Sequence, residues 1–377
     1  MAETMSALYF SCIVVLASYF FILAGANIVE IRRYTRPPSL KEGPLVSVLI
    51  PVRNEAEHIQ RCLAALMQQE YRNYEILVLD DNSQDKTWAI LNQVAQTDSR
   101  IRIFSGAPLP DDWYGKPYAL QQLAGKARGE ILIMTDADTV HSPSSISWTV
   151  TNIQASQADF ISGYVRQELR SFGEKITVPL MFFLTGFIIP LCLNQYTKCK
   201  YFSVAIGQFI AIRKDVFMHI GGFTTIRKKT SEDMYLARYV KSQGFKTLFL
   251  DMGEQVHCRM YTGYKAAVEG IGKNIFDFLG NHSLILVVVS FVVLFFLFLP
   301  FPLLFLLPRI PHYQMNLLAV NILYTLTWMM LFIDRKIPWY YGLLWPLMIL
   351  NLMVTALWSW FRAISGRGFV WKGRIVS

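Results

Sequence analysis

Apolar residues crowd toward the two ends of this chain. Leu8 to Val29 is one run of span length, and three more follow His282: Ser283 to Leu307, Leu317 to Ile333 and Pro338 to Phe361. About 20 such residues cross a hydrocarbon core in helical form, so each run is a candidate membrane segment. Between them short β-forming runs alternate with amphipathic stretches. Leu45 to Pro51, Glu75 to Leu79, Ile101 to Phe104 and Glu130 to Met134 read as strands. Asn54 to Gln69 places Ile59, Cys62, Leu63 and Leu66 at helical spacing, a second amphipathic stretch ends near Val94, and a third helix is predicted over Ala119 to Ala127. Strand and helix in alternation predict an α/β domain with a doubly wound, mostly parallel sheet. Pro51 has no N–H to give a ladder, so the first strand is expected to turn away there.

This pattern divides the chain into an N-terminal anchor with a basic flank (1–36), an α/β domain (37–258), an amphipathic segment (259–281) and C-terminal hydrophobic segments with a basic tail (282–377). Composition agrees: of 377 residues, 53% are hydrophobic and only 17% charged, too apolar for a soluble enzyme of this size. The net charge of +9 sits largely beside the hydrophobic runs. Topology signals and contact with anionic lipid account for such flanks, which disfavours nucleic acid as a partner. Arg32, Arg33 and Arg36 follow the first run whereas Glu3 precedes it, so the positive-inside rule puts the N-terminus outside and the central domain in the cytoplasm of a multi-pass membrane protein. That run lacks a basic leading region and a clear cleavage site, and is read as a retained anchor. Three further spans would carry Arg362, Arg367, Lys372 and Arg374 outside, against the same rule. One segment is therefore expected to be re-entrant or interfacial, and the run broken by Pro300 and Pro302 is the first suspect. Val178 to Leu193 is apolar but short for a span, and is expected to lie in the interface or pack under the domain, with an apolar acceptor path as the sharper alternative. Cys12, Cys62, Cys192, Cys199 and Cys258 form no metal-like pair and read as reduced thiols.

Candidate chemistry gathers where two strands end. Glu130 to Met134 runs into Thr135-Asp136-Ala137-Asp138, and Glu75 to Leu79 runs into Asp80-Asp81-Asn82-Ser83. Ligands of open α/β sheets bind at that end of the strands. Carboxylates one residue apart could hold a hard divalent cation, with water and substrate phosphates completing its shell, or could form a solvated turn. No GxGxxG or P-loop pattern occurs, which disfavours a dinucleotide site and a P-loop NTPase. Ser231-Glu232-Asp233 opens a helix through Tyr235, Leu236, Tyr239 and Val240, where acids in the first turn serve capping equally well.

Val48 to Glu55, Val78 to Asp85 and Thr135 to Asp138, in that order, resemble the successive signatures of glycosyltransferase family 2, whose fold is GT-A. The resemblance implies that Pro51, Asn54, Glu55, Asp80 and Asp81 serve the nucleotide-sugar donor, and that Asp138, helped by Asp136, holds Mn²⁺ or Mg²⁺ against its diphosphate. Lys116, in Tyr114-Gly115-Lys116-Pro117, is a candidate second positive charge there, or a solvated loop lysine. Gly207, Gln208 and the pair Gly221-Gly222 resemble the acceptor side, and Asp233 with Glu232 resembles the general base. Polymer-making relatives carry Gln-x-x-Arg-Trp; here Gln255 to Tyr261 departs from it, which disfavours a processive synthase and leaves Arg259 and Tyr261 as acceptor-side candidates. His257 is a candidate ligand or base, although a lone histidine beside a strand is more often structural. Trp113 to Lys116, Arg259 to Tyr261, Glu269-Gly270 with Lys273, and Trp371 to Arg374 resemble carotenoid glycosyltransferases of the diaponeurosporenoate and hydroxychlorobactene types. The resemblance thus implies an inverting, metal-dependent transfer of a hexose, glucose from UDP-glucose, to a carotenoid or similar isoprenoid lipid. Polyprenyl phosphate, diacylglycerol and hopanoid are the alternative acceptors, and a non-catalytic nucleotide-sugar-binding membrane protein is the contrasting class. Tyr261, Tyr264, Ile271, Ile275, Phe276 and Phe278 among Lys265, Glu269 and Lys273 predict a helix over Arg259 to Gly280 in the headgroup layer.

Overall fold

The structure is a computed structural model that describes residues 2–229, 231–278, 282–307, 311–365, 369–371 and 374–376. Arg367, Lys372, Gly373 and Gly280, which figure in the expectations above, lie outside the described residues. Strands β1 (Val46–Val52), β2 (Tyr74–Asp80), β3 (Ile101–Ser105), β4 (Ile131–Thr135), β5 (Thr139–His141), β6 (Phe160–Tyr164), β7 (Arg166–Gln167), β8 (Phe209–Arg213), β9 (Thr247–Asp251) and β10 (Val256–Cys258) form the central domain. Its main sheet has seven strands in the order β3-β2-β1-β4-β8-β6-β9. All pairs are parallel except those of β8, which runs against both β4 and β6. A small sheet, β5-β10-β7, stands beside it. Helices α1 (Ala2–Arg33), α2 (Ile59–Met67), α3 (Thr87–Ala95), α4 (Gly115–Lys126), α5 (Ser145–Ser156), α6 (Phe172–Thr177), α7 (Pro179–Gly186), α8 (Lys214–His219), α9 (Glu232–Ser242), α10 (Gly263–Phe278), α11 (Ser283–Val292), α12 (Pro300–Leu306), α13 (Pro311–Asp334) and α14 (Trp345–Ile364) complete the chain.

Every residue of β2 and β4 is buried, because helices cover both faces of the sheet. Val48, Ile50, Val78 and Ile133 face one core layer with Leu63 and Leu66 of α2 and Ile146 of α5. Leu49, Leu77, Leu132 and Met134 face the other, with Leu120 and Leu123 of α4 and Leu236 of α9. β1 does not turn at Pro51 as the sequence led us to expect; it continues to Val52. Val52 O accepts from Asp81 N at 2.8 Å, so its backbone faces β2, and the alternation turns the position of Pro51's missing N–H toward β4. β4 has already left at the Leu49–Met134 pair, so no ladder bond is lost. Helix α4 likewise begins earlier than predicted, at Gly115. Pro117 falls in its first turn, where a missing N–H costs nothing, and Lys116 is a helical residue rather than a loop residue.

Among the described residues, Met5–Arg33, Phe172–Leu193, Tyr313–Asp334 and Trp339–Ile364 are long and apolar enough to cross a membrane, and Ser283–Phe298 with Pro300–Leu306 is a further pair bent by 44°. Contacts order them. Ser6 Oγ lies 2.8 Å from Tyr313 OH and Arg32 Nη2 lies 2.6 Å from Asp334 Oδ1, so α1 and α13 run side by side in one direction, ending at the α/β domain. The bent pair starts near the domain, where Ser283 Oγ accepts from Trp360 Nε1, and reaches the far end, where Phe295 O accepts from Tyr9 OH. The two other segments begin and end beside the domain. Phe172–Leu193 starts at a capping box of Ser171 and Glu174, six residues before the predicted apolar run, and is followed by Asn194, whose Nδ2 donates to Thr247 O at 2.8 Å. Trp339–Ile364 follows Arg335, 3.2 Å from Asp251 Oδ2 at the end of β9; Trp345 Nε1 then bonds Thr325 Oγ1 midway along α13, and Ser359 Oγ returns to Gly272 O on α10. Phe172–Leu193 and Trp339–Ile364 thus each have both ends on the domain side, and the pair broken at Pro300 runs from that side to the far end of α13.

Candidate active site

The carboxylate-bearing ends of β2 and β4, the first turns of α4 and α9, and the segment before β8 converge on one cavity of about 860 Å³. Pro51, Glu55, Asp81, Lys116, Asp136, Asp138, Gly207, Gln208, Glu232, Asp233 and Tyr261 line it. Gly221 and Gly222, just past α8, do not, and neither do Asp80, Asn54 and Arg259. Asp80 accepts from Ser83 N and Ser83 Oγ within its own turn. Asn54, at φ 53°, accepts from Gln84 N at 2.8 Å and holds the β1 and β2 ends together. Arg259 lies 3.4 Å from Glu174 Oε1 and joins β10 to α6. His257 stands in β10 with Nδ1 3.9 Å from Glu168 Oε1, in keeping with a structural reading.

Lys116 is the central cation. Its Nζ is 2.7 Å from Asp136 Oδ1, 3.2 Å from Glu232 Oε1 and 3.4 Å from Gly207 O. Burial alone would lower its pKa, but Asp136 and Glu232 outweigh that and raise it, so the ammonium stays charged. Asp233 Oδ2 accepts from Gly207 N at 2.6 Å and Oδ1 from Met234 N at 2.7 Å. Burial and the neighbouring Glu232 push Asp233 up to about 6, against the pull of Lys116. The Ser231 side chain makes no capping bond to α9. A Cβ on Gly207 would stand 2.9 Å from Lys116 Nζ and 3.2 Å from Asp233 Oδ2, so this position admits no larger residue without displacing the pair.

Asp138 Oδ1 is buried without a hydrogen-bond partner, and burial together with Asp136 and Glu55 pushes this carboxyl up to about 7. An orphaned carboxylate oxygen beside further negative charge is what a cation would satisfy, so these residues fit Mn²⁺ or Mg²⁺. Among the described residues no three His, Cys, Asp or Glu side chains form a ready cation cage. The site therefore suits a cation that takes one or two carboxylates and completes its shell from phosphate and water.

The far end of the cavity was legible in the sequence only in part: Ile271, Lys273 and Ile275 lie on the helix expected in the headgroup layer, whereas nothing placed α14 at a site. Met181 and Leu184 of α7, Ile271, Lys273 and Ile275 of α10, and Trp358 and Arg362 of α14 line it. Burial lowers the Lys273 ammonium although Glu232 draws it upward. Tyr261 packs on Gly270, where a Cβ would come within 2.1 Å of its ring. Charged residues on otherwise apolar helices were the available signal.

Residues 47–221 match the family model for glycosyl transferase family 2. The chain is 28% identical over 215 residues to probable glycosyltransferase YdaM of Bacillus subtilis, covering 56% of this chain and 50% of that protein. It is 27% identical over 242 residues to 4,4'-diaponeurosporenoate glycosyltransferase of Staphylococcus haemolyticus, covering 61% and 60%. The chain thus spans about half the length of the curated relatives it matches. The mannosyltransferase PcManGT from Pyrobaculum calidifontis, solved in complex with GDP-Man and Mn²⁺, superposes with a TM-score of 0.53 at 17% identity over 93% of this chain and 99% of that one, a likeness of fold. With the strand order and the acidic strand ends of the sheet, these matches identify residues 47–221 as a glycosyl transferase family 2 domain of the GT-A fold.

Proposed function

We propose that this protein transfers a hexosyl group from a nucleotide-sugar to a lipid acceptor at the cytoplasmic face of the cell membrane. The observation that carries this reading is the single cavity that joins Asp136, Asp138, Lys116 and Asp233 to the apolar flank of α7, α10 and α14. Asp81, Glu55 and Pro51 serve the nucleoside end of the donor. Asp138 and Asp136 would hold the divalent cation, which neutralises charge on the departing diphosphate. Lys116, kept charged by its acidic partners, holds Asp136 and Glu232 in place and adds positive potential beside the diphosphate. The acceptor oxygen bonds to the anomeric carbon, the bond from that carbon to the diphosphate breaks with its electron pair going to the nucleoside diphosphate, and Asp233 takes the proton of a hydroxyl acceptor. One displacement inverts the anomeric centre.

A carotenoid or related isoprenoid is the acceptor class that the diaponeurosporenoate relative favours, and UDP-glucose the donor to test first. Polyprenyl phosphate, diacylglycerol and hopanoid are the acceptors to set against it. The membrane reading draws on the basic flank Arg32 and Arg33 at the domain end of α1. With α1, the bent pair and α13 crossing, Arg335 and Arg362 both stay on the side of the domain, which removes the charge conflict of a third C-terminal span.

The test is turnover of labelled UDP-glucose by the full chain in membranes supplied with each acceptor. We expect Asp138→Ala, or excess chelator, to lower the rate about a thousandfold, the equivalent of about 4 kcal/mol of lost charge stabilisation. Activity of Asp138→Ala within a few-fold of wild type would overturn the metal-dependent mechanism. Donor binding without turnover on any lipid would favour the non-catalytic alternative.

A further inference from the structure

Beneath the Asp136–Asp138 turn lies a closed set of polar side chains that the transfer itself does not use. Thr135 Oγ1 donates to Gln208 O at 2.9 Å, and Thr139 Oγ1 donates to Asp136 O at 2.7 Å while lying 2.9 Å from Thr135 Oγ1. His141 Nε2 is 3.0 Å from Thr135 Oγ1, and its Nδ1 is 3.0 Å from Ser145 Oγ. Ser145 Oγ lies 3.0 Å from Gln69 Oε1, which accepts from Ile146 N, and Gln69 Nε2 donates to Ser142 O. Thr135, Thr139, His141 and Ser145 are each no more than 3% exposed.

The proton count orients this chain. A hydroxyl has one proton, and the Gln208 carbonyl can only accept the one from Thr135, so the Thr135 oxygen receives Nε2–H from His141; the bare Nδ1 then takes the Ser145 proton, which leaves the Ser145–Gln69 Oε1 contact without one. Such a network is unusual under a site made of acids: it contains no carboxylate and no cation, and His141 touches neither Asp136 nor Asp138. It reaches them through the backbone, because the Thr139 hydroxyl and the Thr139 N–H both hold the Asp136 carbonyl. At the other end it grips Gln208 and, through Gln69 and Ser145, the start of α5.

We propose that Thr135, Thr139 and His141 are positioning residues that set the Asp136–Asp138 turn for its divalent cation, with His141 holding Thr135, against which the Thr139 hydroxyl rests. This rests on the reading of Asp138 and Asp136 as cation ligands. A carboxylate free to swing about its turn must lose that freedom on binding the ion, whereas this turn is held from below. Partners one step removed from metal ligands are commonly worth 10- to 100-fold in affinity, roughly.

The experiment measures Mn²⁺ binding to the full chain in detergent by electron paramagnetic resonance of the free ion, alongside donor turnover against Mn²⁺ concentration. Thr139→Val keeps the shape and removes the hydroxyl that donates to Asp136 O and lies against Thr135 Oγ1. It is expected to weaken Mn²⁺ about tenfold, with turnover recovering at high Mn²⁺, and Thr139→Ser is expected to restore binding. His141→Gln, which keeps a donor near Thr135, is expected to fall between them. Mn²⁺ binding by Thr139→Val within twofold of wild type overturns the proposal, as does a loss of turnover that extra Mn²⁺ does not recover. Asp138→Asn separates the two readings: if it binds Mn²⁺ as wild type does, the cation assignment itself fails, and if it alone abolishes binding, only the positioning role fails.

Discussion

Asp233 carries opposite signs for activity and for stability. Its carboxyl is raised to about 6 by burial and by Glu232, so a base at this position is charged above that pH and protonated below it. We expect kcat/KM with a lipid alcohol to fall along an acid limb centred near pH 6, about tenfold per unit below it, and Asp233→Asn to abolish most of the rate. For folding the sign reverses. Between the unfolded carboxyl near 4 and the folded value near 6 the native state holds the extra proton, so native stability declines as pH rises through that window. Thermal melts should therefore find Asp233→Asn at least as stable as wild type at pH 7.5, with any advantage shrinking as pH falls toward 4. A large drop in Tm would mark Asp233 as a helix-capping residue only. An acceptor that is already ionised needs little proton removal, so the same variant should lose less with a carotenoid carboxylic acid than with an alcohol. Asp81 and Asp138 could be singled out because a carboxylate ending an apolar strand stands where such sheets bind ligands, whereas Asp233, which helix capping explains equally well, was singled out by the family resemblance. Asp80 could not be told from Asp81, since only the turn geometry sends one side chain to Ser83 and the other into the cavity.

At the scale of elements, strands buried on both faces announce themselves as apolar runs, and β1, β2, β3 and β4 fall within a residue or two of their expected places. Direction does not announce itself. Phe209–Arg213 reads the same whether it pairs parallel or antiparallel, and the insertion of β8 between β4 and β6 comes from the connections around it. Helix α10 depends on its glycines in a way that periodicity does not record. A Cβ at Gly270 would meet the Tyr261 ring at 2.1 Å, and one at Gly272 would stand 3.0 Å from Trp358. We expect Gly270→Val to displace Tyr261 and to cut transfer to lipid at least tenfold, while binding of the nucleoside diphosphate, measured by calorimetry, stays within twofold. Equal losses in both would mean that the substitution merely unfolds the domain.

For the whole molecule, run lengths in the sequence identify what can live in lipid, but an apolar run does not say on which side it emerges. Long-range polar contacts say which ends lie beside the α/β domain, and they join residues far apart in the chain: Arg335 with Asp251 and Arg32 with Asp334. In a cysteine-free background, Gln314→Cys is expected to react with an impermeant maleimide on intact cells, and Lys336→Cys and Ser365→Cys only after permeabilisation. Outside labelling at Ser365→Cys would mean that Trp339–Ile364 crosses. The cavity floor on α7, α10 and α14 has one more consequence. An acceptor that reaches Asp233 without leaving the bilayer meets the enzyme by lateral diffusion in a plane, so its effective concentration is its mole fraction among lipids. Diluting it with inert phospholipid at constant total amount should slow the reaction, whereas adding more vesicles of the same composition should not.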